Sequence, residues 1–324
     1  MKTIVLIGAG QLGRRHLQAL SKLRFGARIF VVDPVPASLA AAQSQWEEMP
    51  LSGETKQVSY LLSLAGVASE VDVAIVATSA DVRAAVLRAL LACCHVHHLV
   101  LEKVLFQDPA EYGEFAALFE DKGIKVWVNH PRRLFPFYAK VKDWLNGARQ
   151  VSYQVQGGAW GLACNGLHFL DHLSFLTGDS ALMLSGAALD PGIAESKRPG
   201  FIEVSGTLRG HMGAHPFSIF CHAAPAPAVI TICSDTVNLI IDEANGWYRV
   251  ARKDGQWKWE EGTEKIVHFQ SELSHLMVEQ IVDTGRCGLP AFSEASALHL
   301  PFIRCLLAHL AASGQPALTL CPIT

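Results

Sequence analysis

At 324 residues the chain is too long for one ordinary hydrophobic core and too short for three, so two domains are expected. Half of its residues are apolar and 18% are charged, with 27 Lys and Arg against 30 Asp and Glu, a formal charge of −3. This composition excludes a disordered chain or a coiled coil, and it leaves no basic field to hold a nucleic-acid backbone. The scarcity of charge points instead to surface covered by another copy of the chain.

The apolar run Ile4 to Ile7 is far shorter than the about 7–15 apolar residues of a secretory signal. No uninterrupted apolar stretch reaches the roughly 20 residues that span a bilayer. A soluble, cytoplasmic protein with no membrane partner is expected. Eight cysteines, none in a CxxC pair, read as reduced and buried thiols.

In chain order, residues 3–7, 28–32, 71–77, 98–101 and 124–128 are short, aliphatic and β-branched, as strands buried on both faces are. Between them, 11–24, 36–47, 81–93 and 109–122 carry helical spacing. Strand–helix alternation of this kind predicts an α/β, doubly wound parallel sheet. Beyond about residue 150, the runs 151–156, 201–208, 217–221, 228–233, 237–241 and 247–251 follow one another with turns between them. They predict a large, mainly antiparallel sheet, with helices at about 166–177, 271–286 and 293–312. Pro301 should kink or split the last helix. The expected division is 1–122 for nucleotide binding and 123–324 for substrate binding and oligomerisation.

Gly8, Gly10 and Gly13 form GxGxxG directly after the first strand and at the start of a helix. The first glycine suits the tight turn, the second lets backbone approach a pyrophosphate, and the third lets helix pack on strand. The phosphates would then meet free N–H groups at the helix N-terminus. Asp33 ends the second strand, where a carboxylate accepts hydrogen bonds from the adenosine ribose. The cofactor is therefore expected to be NAD, although Arg14 and Arg15 leave NADP open. Lys103 lies at the carboxyl end of the fourth run, on the edge where open α/β sheets bind ligands, and an isolated Glu102–Lys103 pair would otherwise read as surface charge.

Together, residues 8–16 (GAGQLGRRH), Asp33, 77–79 (ATS), 102–103 (EK), 129–133 (NHPRR) and 164–171 (CNGLHFLD) resemble the landmarks of the glucose–fructose oxidoreductase / inositol dehydrogenase (Gfo/Idh/MocA) family, in their usual order. The resemblance implies a Rossmann domain followed by an α/β domain whose open sheet often joins subunits, here as a homodimer or homotetramer. It implies NAD(P)-dependent oxidation or reduction at carbon of sugars, cyclitols and related polyols. It places Gly8, Gly10, Gln11, Leu12, Gly13, Asp33, Thr78, Ser79, Glu102 and Lys103 at the cofactor. Lys103 and His168 become the catalytic pair, with Arg132, Trp160, Asn165 and Asp171 at the substrate.

Two positions depart from the family pattern. Val104 replaces a proline, and because a cis bond before a non-proline residue costs about 2.5–4 kcal/mol, Lys103–Val104 is expected to be trans. Cys164 stands where many members carry an aspartate, four residues before His168. Asp171, three residues after His168, would hold its ring or contact substrate, and His172 is one turn away. A zinc site on His168, Asp171 and His172 is a weaker alternative, so no metal is expected. His95, His97 and His98 are read as facing solvent or a strand end, and Trp247, Tyr248, Trp257 and Trp259 as a packed hairpin. A non-catalytic NAD-binding regulator, or an enzyme using bound NAD for a transient oxidation during elimination or epimerisation, would fit the same motifs.

Overall fold

A computed structural model describes residues 1–50, 53–315 and 318–324. In chain order the elements are β1 (Lys2–Ile7), α1 (Gln11–Leu20), β2 (Ala27–Val32), α2 (Pro36–Glu47), β3 (Lys56–Leu61), β4 (Glu70–Val76), α3 (Ala80–Cys93), β5 (His95–Leu101), α4 (Pro109–Asp121) and β6 (Lys125–Val128). There follow α5 (Pro136–Trp144), β7 (Val151–Gly158), α6 (Leu162–Thr177), β8 (Leu182–Glu195), β9 (Ile202–Met212), β10 (His215–His222), β11 (Ala226–Ser234), β12 (Val237–Asp242), β13 (Trp247–Arg252), β14 (Trp259–Thr263), α7 (Gln270–Thr284) and α8 (Phe292–Ala312).

The chain divides into two compact units that are not contiguous in sequence. The first holds Met1–Phe106, Glu111–Pro131 and His268–Phe292; the second holds Gln107–Ala110, Arg132–Val267 and Ser293–Thr324. A single cut at 122/123 therefore misses the return of α7 to the first unit, where it packs against α1. That packing joins segments some 250 residues apart, beyond the reach of local pattern.

The first unit contains a six-stranded parallel sheet in the order β3-β2-β1-β4-β5-β6. Ile4, Val5 and Leu6 of β1 and Val73, Ala74, Ile75 and Val76 of β4 are completely buried, as strands covered on both faces must be. The edge strand β3 (KQVSYL) was not expected, because its mixed polarity gives no aliphatic run. Pro36 stands in the first turn of α2, where its missing N–H costs nothing.

The second unit contains an eight-stranded sheet in the order β14-β13-β12-β11-β7-β10-β9-β8. It is antiparallel except for the β7–β10 pair. Burial alternates along β12, with Val237, Leu239 and Ile241 inside and Asn238, Ile240 and Asp242 on the outer face. The long edge strand β8 was also missed; its outward pattern and two register shifts hide the strand period. The expected aromatic hairpin is β13–β14, in which Tyr248 lies over Gly262 and the Arg249 guanidinium over Trp259.

Helix α8 runs unbroken through Pro301 instead of splitting there. Leu298, Phe302, Ile303 and Leu306 on both sides of the proline are buried in one core, so shared packing outweighs the roughly 3 kcal/mol that an internal proline costs. The same helix is long and apolar enough, by length and composition alone, to cross a bilayer, contrary to the expectation that no stretch is. Its buried face instead packs within the unit, with Phe302 against Gly166 of α6. All eight cysteines are free, but only Cys94, Cys221 and Cys321 are buried; Cys93 and Cys233 are exposed, at a helix end and on an outward strand position.

Candidate functional site

The nucleotide loop joins β1 to α1, and each glycine meets a different physical demand. Gly8 has φ +96°, and a Cβ there would lie 3.0 Å from the Ala77 backbone. At Gly13 a Cβ would fall 1.8 Å from the Gly8 carbonyl oxygen, so the close approach of helix to loop requires glycine. At Gly10 a Cβ would meet nothing within 4 Å, leaving open space beside the helix N-terminus. No side chain caps α1 and no acidic residue occupies its first turn. Its N–H groups and dipole therefore remain available to an anion. The Thr78 hydroxyl is buried without a partner, and Ser79 precedes α3 at the neighbouring strand end. An open cradle over an uncapped helix and a partnerless hydroxyl fit a dinucleotide.

Asp33 has a second task that its spacing did not reveal. Its carboxylate accepts the Ala9 N–H at 2.7 Å through Oδ2 and the Val35 N–H at 2.8 Å through Oδ1, tying the glycine loop to the end of β2. Each oxygen keeps a further lone pair for a ribose hydroxyl. Gln11 is exposed and Leu12 half-buried on the first turn of α1.

Lys103, half-buried, follows the carboxyl end of β5. The Lys103–Val104 peptide is cis, a correction to the trans geometry expected without proline. Val104 is completely buried, and the Arg83 guanidinium donates to the carbonyls of Val104, Leu105 (2.9 Å) and Thr78. Tertiary hydrogen bonding thus overrides the local trans preference. Arg83 was missed, yet a signal existed: it lies on the apolar stripe of α3, between Ala80 and Leu87 at helical spacing, where a solvated arginine does not belong.

Glu102, expected at the cofactor, points into the unit. Its carboxylate is hydrogen-bonded to His16 Nε2 at 2.9 Å and accepts the Asn129 amide at 2.6 Å. His16 Nδ1 reaches the Ser274 hydroxyl at 2.8 Å, and Asn129 also donates to Gln270 at 2.8 Å. Burial alone would push the Glu102 carboxyl up, but His16, the Asn129 amide and the Arg83 charge hold it below the usual carboxylate range. The network ties α1, α7 and the ends of β5 and β6 together behind Lys103.

In the second unit α6 starts at Leu162, four residues earlier than periodicity indicates. Gly161 supplies a left-handed cap, with φ +84°, and the Glu203 carboxylate accepts the Ala163 N–H at 2.9 Å. His168 lies on α6, half-buried. Asn165 donates to the Trp160 carbonyl at 2.6 Å, bracing the glycine-rich turn before the helix. Trp160 packs edge-to-face on Phe169 with ring centroids 5.2 Å apart, while its indole N–H has no partner.

Two expected roles need correction. Asp171 is completely buried and paired with Arg133, whose Nε stands 3.0 Å from both carboxylate oxygens, so no surface remains for substrate. Burial raises its carboxyl to about 6 against the opposing Arg133 charge. Arg132 forms a fork to Glu243, at 2.8 and 2.6 Å, and covers the Phe169 ring; it is engaged within the unit rather than offered to a ligand. Tyr138 also donates to Glu243, and the Arg132 charge holds Glu243 below the usual range despite burial. His172 is buried against Tyr138 and hydrogen-bonded to Tyr153 at 2.9 Å, and burial lowers it to about 3. Asp171 and His172 are thus engaged by different partners, Arg133 and Tyr153. Nothing in the sequence pattern pairs Glu243 with Arg132, because 111 residues separate them.

Residues 2–130 match the model of an oxidoreductase family with an NAD-binding Rossmann fold, Gfo/Idh/MocA. No curated protein matches the chain in sequence. Among solved structures, the chain is similar to UDP-N-acetylglucosamine 3-dehydrogenase GnnA from Acidithiobacillus ferrooxidans, with a TM-score of 0.72 at 14% identity, covering 97% of this chain and 99% of that one. It is similar to a putative myo-inositol dehydrogenase from Sinorhizobium meliloti, with a TM-score of 0.69 at 15% identity over 96% and 98% of the two chains. A super-repressor mutant of Gal80p from Saccharomyces cerevisiae gives a TM-score of 0.73 at 13% identity over 96% of each chain. These likenesses extend the shared fold across both units, while the match to the oxidoreductase family model is confined to the nucleotide-binding segment, residues 2–130.

Proposed function

We propose that the protein is an NAD-dependent oxidoreductase that interconverts a secondary alcohol and a ketone on a sugar, cyclitol or related polyol. The observation that carries this reading is the uncapped helix N-terminus over the open Gly10 cradle, with Lys103 at a strand end of the same sheet. A bound nicotinamide would take up or deliver the hydride. Lys103 would polarise the carbonyl oxygen, and His168 would move the proton of the substrate hydroxyl. Arg83 and the Glu102–His16–Asn129 network would hold the backbone of Lys103, and Asn165 would hold the turn preceding His168. Trp160 remains a proposed sugar-stacking surface. Asp33 favours NAD by repelling a 2′-phosphate.

The test is a substrate panel of sugars, sugar acids, cyclitols and nucleotide sugars, followed by the absorbance of reduced nicotinamide. Lys103→Ala and His168→Ala are each expected to cut turnover by about 10²–10⁴-fold with NAD affinity retained. Wild-type turnover in either variant overturns the corresponding role, and tighter binding of NADP(H) overturns that of Asp33. Cys164, in place of the family aspartate, and the likeness to Gal80p favour a second reading as an NAD-binding regulator. NAD affinity without turnover on the whole panel would select it.

The outer face of the eight-stranded sheet is proposed to join two copies of the chain. It carries exposed Phe220 beside half-buried Val229 and Ile240, among Gln154, Gln156 and Thr231. Light scattering is expected to show a dimer at micromolar concentration and a monomer for Phe220→Glu.

A further inference from the structure

We propose that Glu70, His95 and His97 form a surface site for one divalent transition-metal ion, with Zn²⁺ as its natural occupant. His95 and His97 are two residues apart at the start of β5, so both rings project from one face of the strand. The parallel neighbour β4 begins at Glu70, which is paired in register with His95 and therefore shares that face. A histidine-rich stretch read from sequence as solvent-facing thus acquires a carboxylate from another strand.

The geometry is close to a coordination sphere. One ligand atom from each residue can be chosen so that all three lie within 4.8 Å of one another. His97 Nε2 stands 3.5 Å from Glu70 Oε2. Tetrahedral zinc, with ligand bonds of about 2.0–2.2 Å, needs donor atoms about 3.4 Å apart. One pair already meets that spacing, and all three side chains are exposed, so a rotamer adjustment completes the triad without repacking a core. The His95 and His97 rings stand edge to face with centroids 4.8 Å apart, which keeps their nitrogens in one neighbourhood.

The neighbours define the ligand set. His98 points to the opposite face, stacks on Trp127 and is hydrogen-bonded through Nδ1 to the Asp72 carbonyl, so it is no ligand. The Asp72 carboxylate is held by Lys2 at 2.9 Å and by the Thr3 N–H at 2.8 Å. Two imidazoles and one carboxylate suit zinc and its later first-row neighbours, not calcium or magnesium, which take oxygen ligands. Water would fill the remaining position. The site opens β4 and β5, whereas the nucleotide loop lies at the carboxyl edge of the same sheet. Seven residues of β4 at about 3.3 Å each put about 20 Å between the two edges. Cofactor affinity therefore serves as an independent control.

The experiment titrates the tag-free full chain with Zn²⁺ by calorimetry and with Co²⁺ by visible absorption. One ion per chain is expected, with micromolar affinity, and at least tenfold weaker binding in His97→Ala and in Glu70→Gln. Cys93→Ser, which removes the nearest exposed thiol, should bind as the parent does, and NAD affinity and Tm should stay unchanged in all three variants. Absence of Zn²⁺ binding, parental affinity in His97→Ala, or an intense thiolate-to-Co²⁺ charge-transfer band would each overturn the proposal.

Discussion

The two units bury charge in different ways. In the parallel-sheet unit, five buried polar side chains form one connected network, Glu102 with His16, Asn129, Gln270 and Ser274, and it lies behind the strand-end lysine. In the antiparallel-sheet unit two charge pairs stand apart, Arg132 with Glu243 and Arg133 with Asp171, and they clamp the segment before α5 to the turn after β12 and to α6. The first arrangement leaves a ligand edge formed by backbone and open space. The second takes side chains that look like ligand contacts and makes them structural. A buried ion pair gains little over apolar packing, but removing one partner leaves the other uncompensated and costs much more.

The contrast can be broken from its strongest point downward. Gly13→Ala drives a Cβ into the Gly8 carbonyl oxygen, so NAD affinity should fall by at least about 100-fold, near 2.7 kcal/mol, in a calorimetric titration. Glu243→Ala leaves the largely buried Arg132 unpaired and should cost about 3–5 kcal/mol of stability by denaturant unfolding, without weakening NAD binding. Equal stability in this variant would show that the pair is solvated after all. Gly10→Ala separates folding from binding: the position has φ −66° and open space, so Tm should hold while NAD affinity drops about tenfold, near 1.4 kcal/mol.

The smallest effect is a pH slope within the second unit. His172 titrates near 3 when folded against 6.5 when exposed, so its stabilising contribution is complete above pH 6.5 and is lost as pH falls toward 3. Asp171, raised to about 6 from 3.8, acts oppositely: its contribution is present below pH 3.8 and is lost as pH rises through 6. The two slopes oppose one another between pH 3.8 and 6. His172→Leu should leave the Asp171 slope exposed, so Tm in that window should rise on acidification relative to the parent protein.

Much of the first unit was legible because its signals are local. The glycine spacing, the aliphatic strands and Asp33 each act within a few residues or one strand–helix unit. Missed features had no such signature: the mixed edge strand β3, the contribution of α7, and the inward turn of Glu102 toward His16. In the second unit, the strands were visible as alternating apolar runs, whereas the partners of Arg132 and Asp171 were not. Helix period puts Asp171 beside His168 correctly as a matter of spacing, but it carries no information about an arginine arriving from 38 residues upstream.

The sequence alone determined the fold class and the nucleotide loop, because backbone conformation and burial period are written in neighbouring residues. Only the tertiary structure decided which polar side chains are spent on holding the fold, that Lys103–Val104 is cis, and that Glu70 stands beside His95 and His97. Burial makes an unpaired charge expensive, so each buried charge is committed to whichever partner the chain topology brings to it, at any separation in sequence.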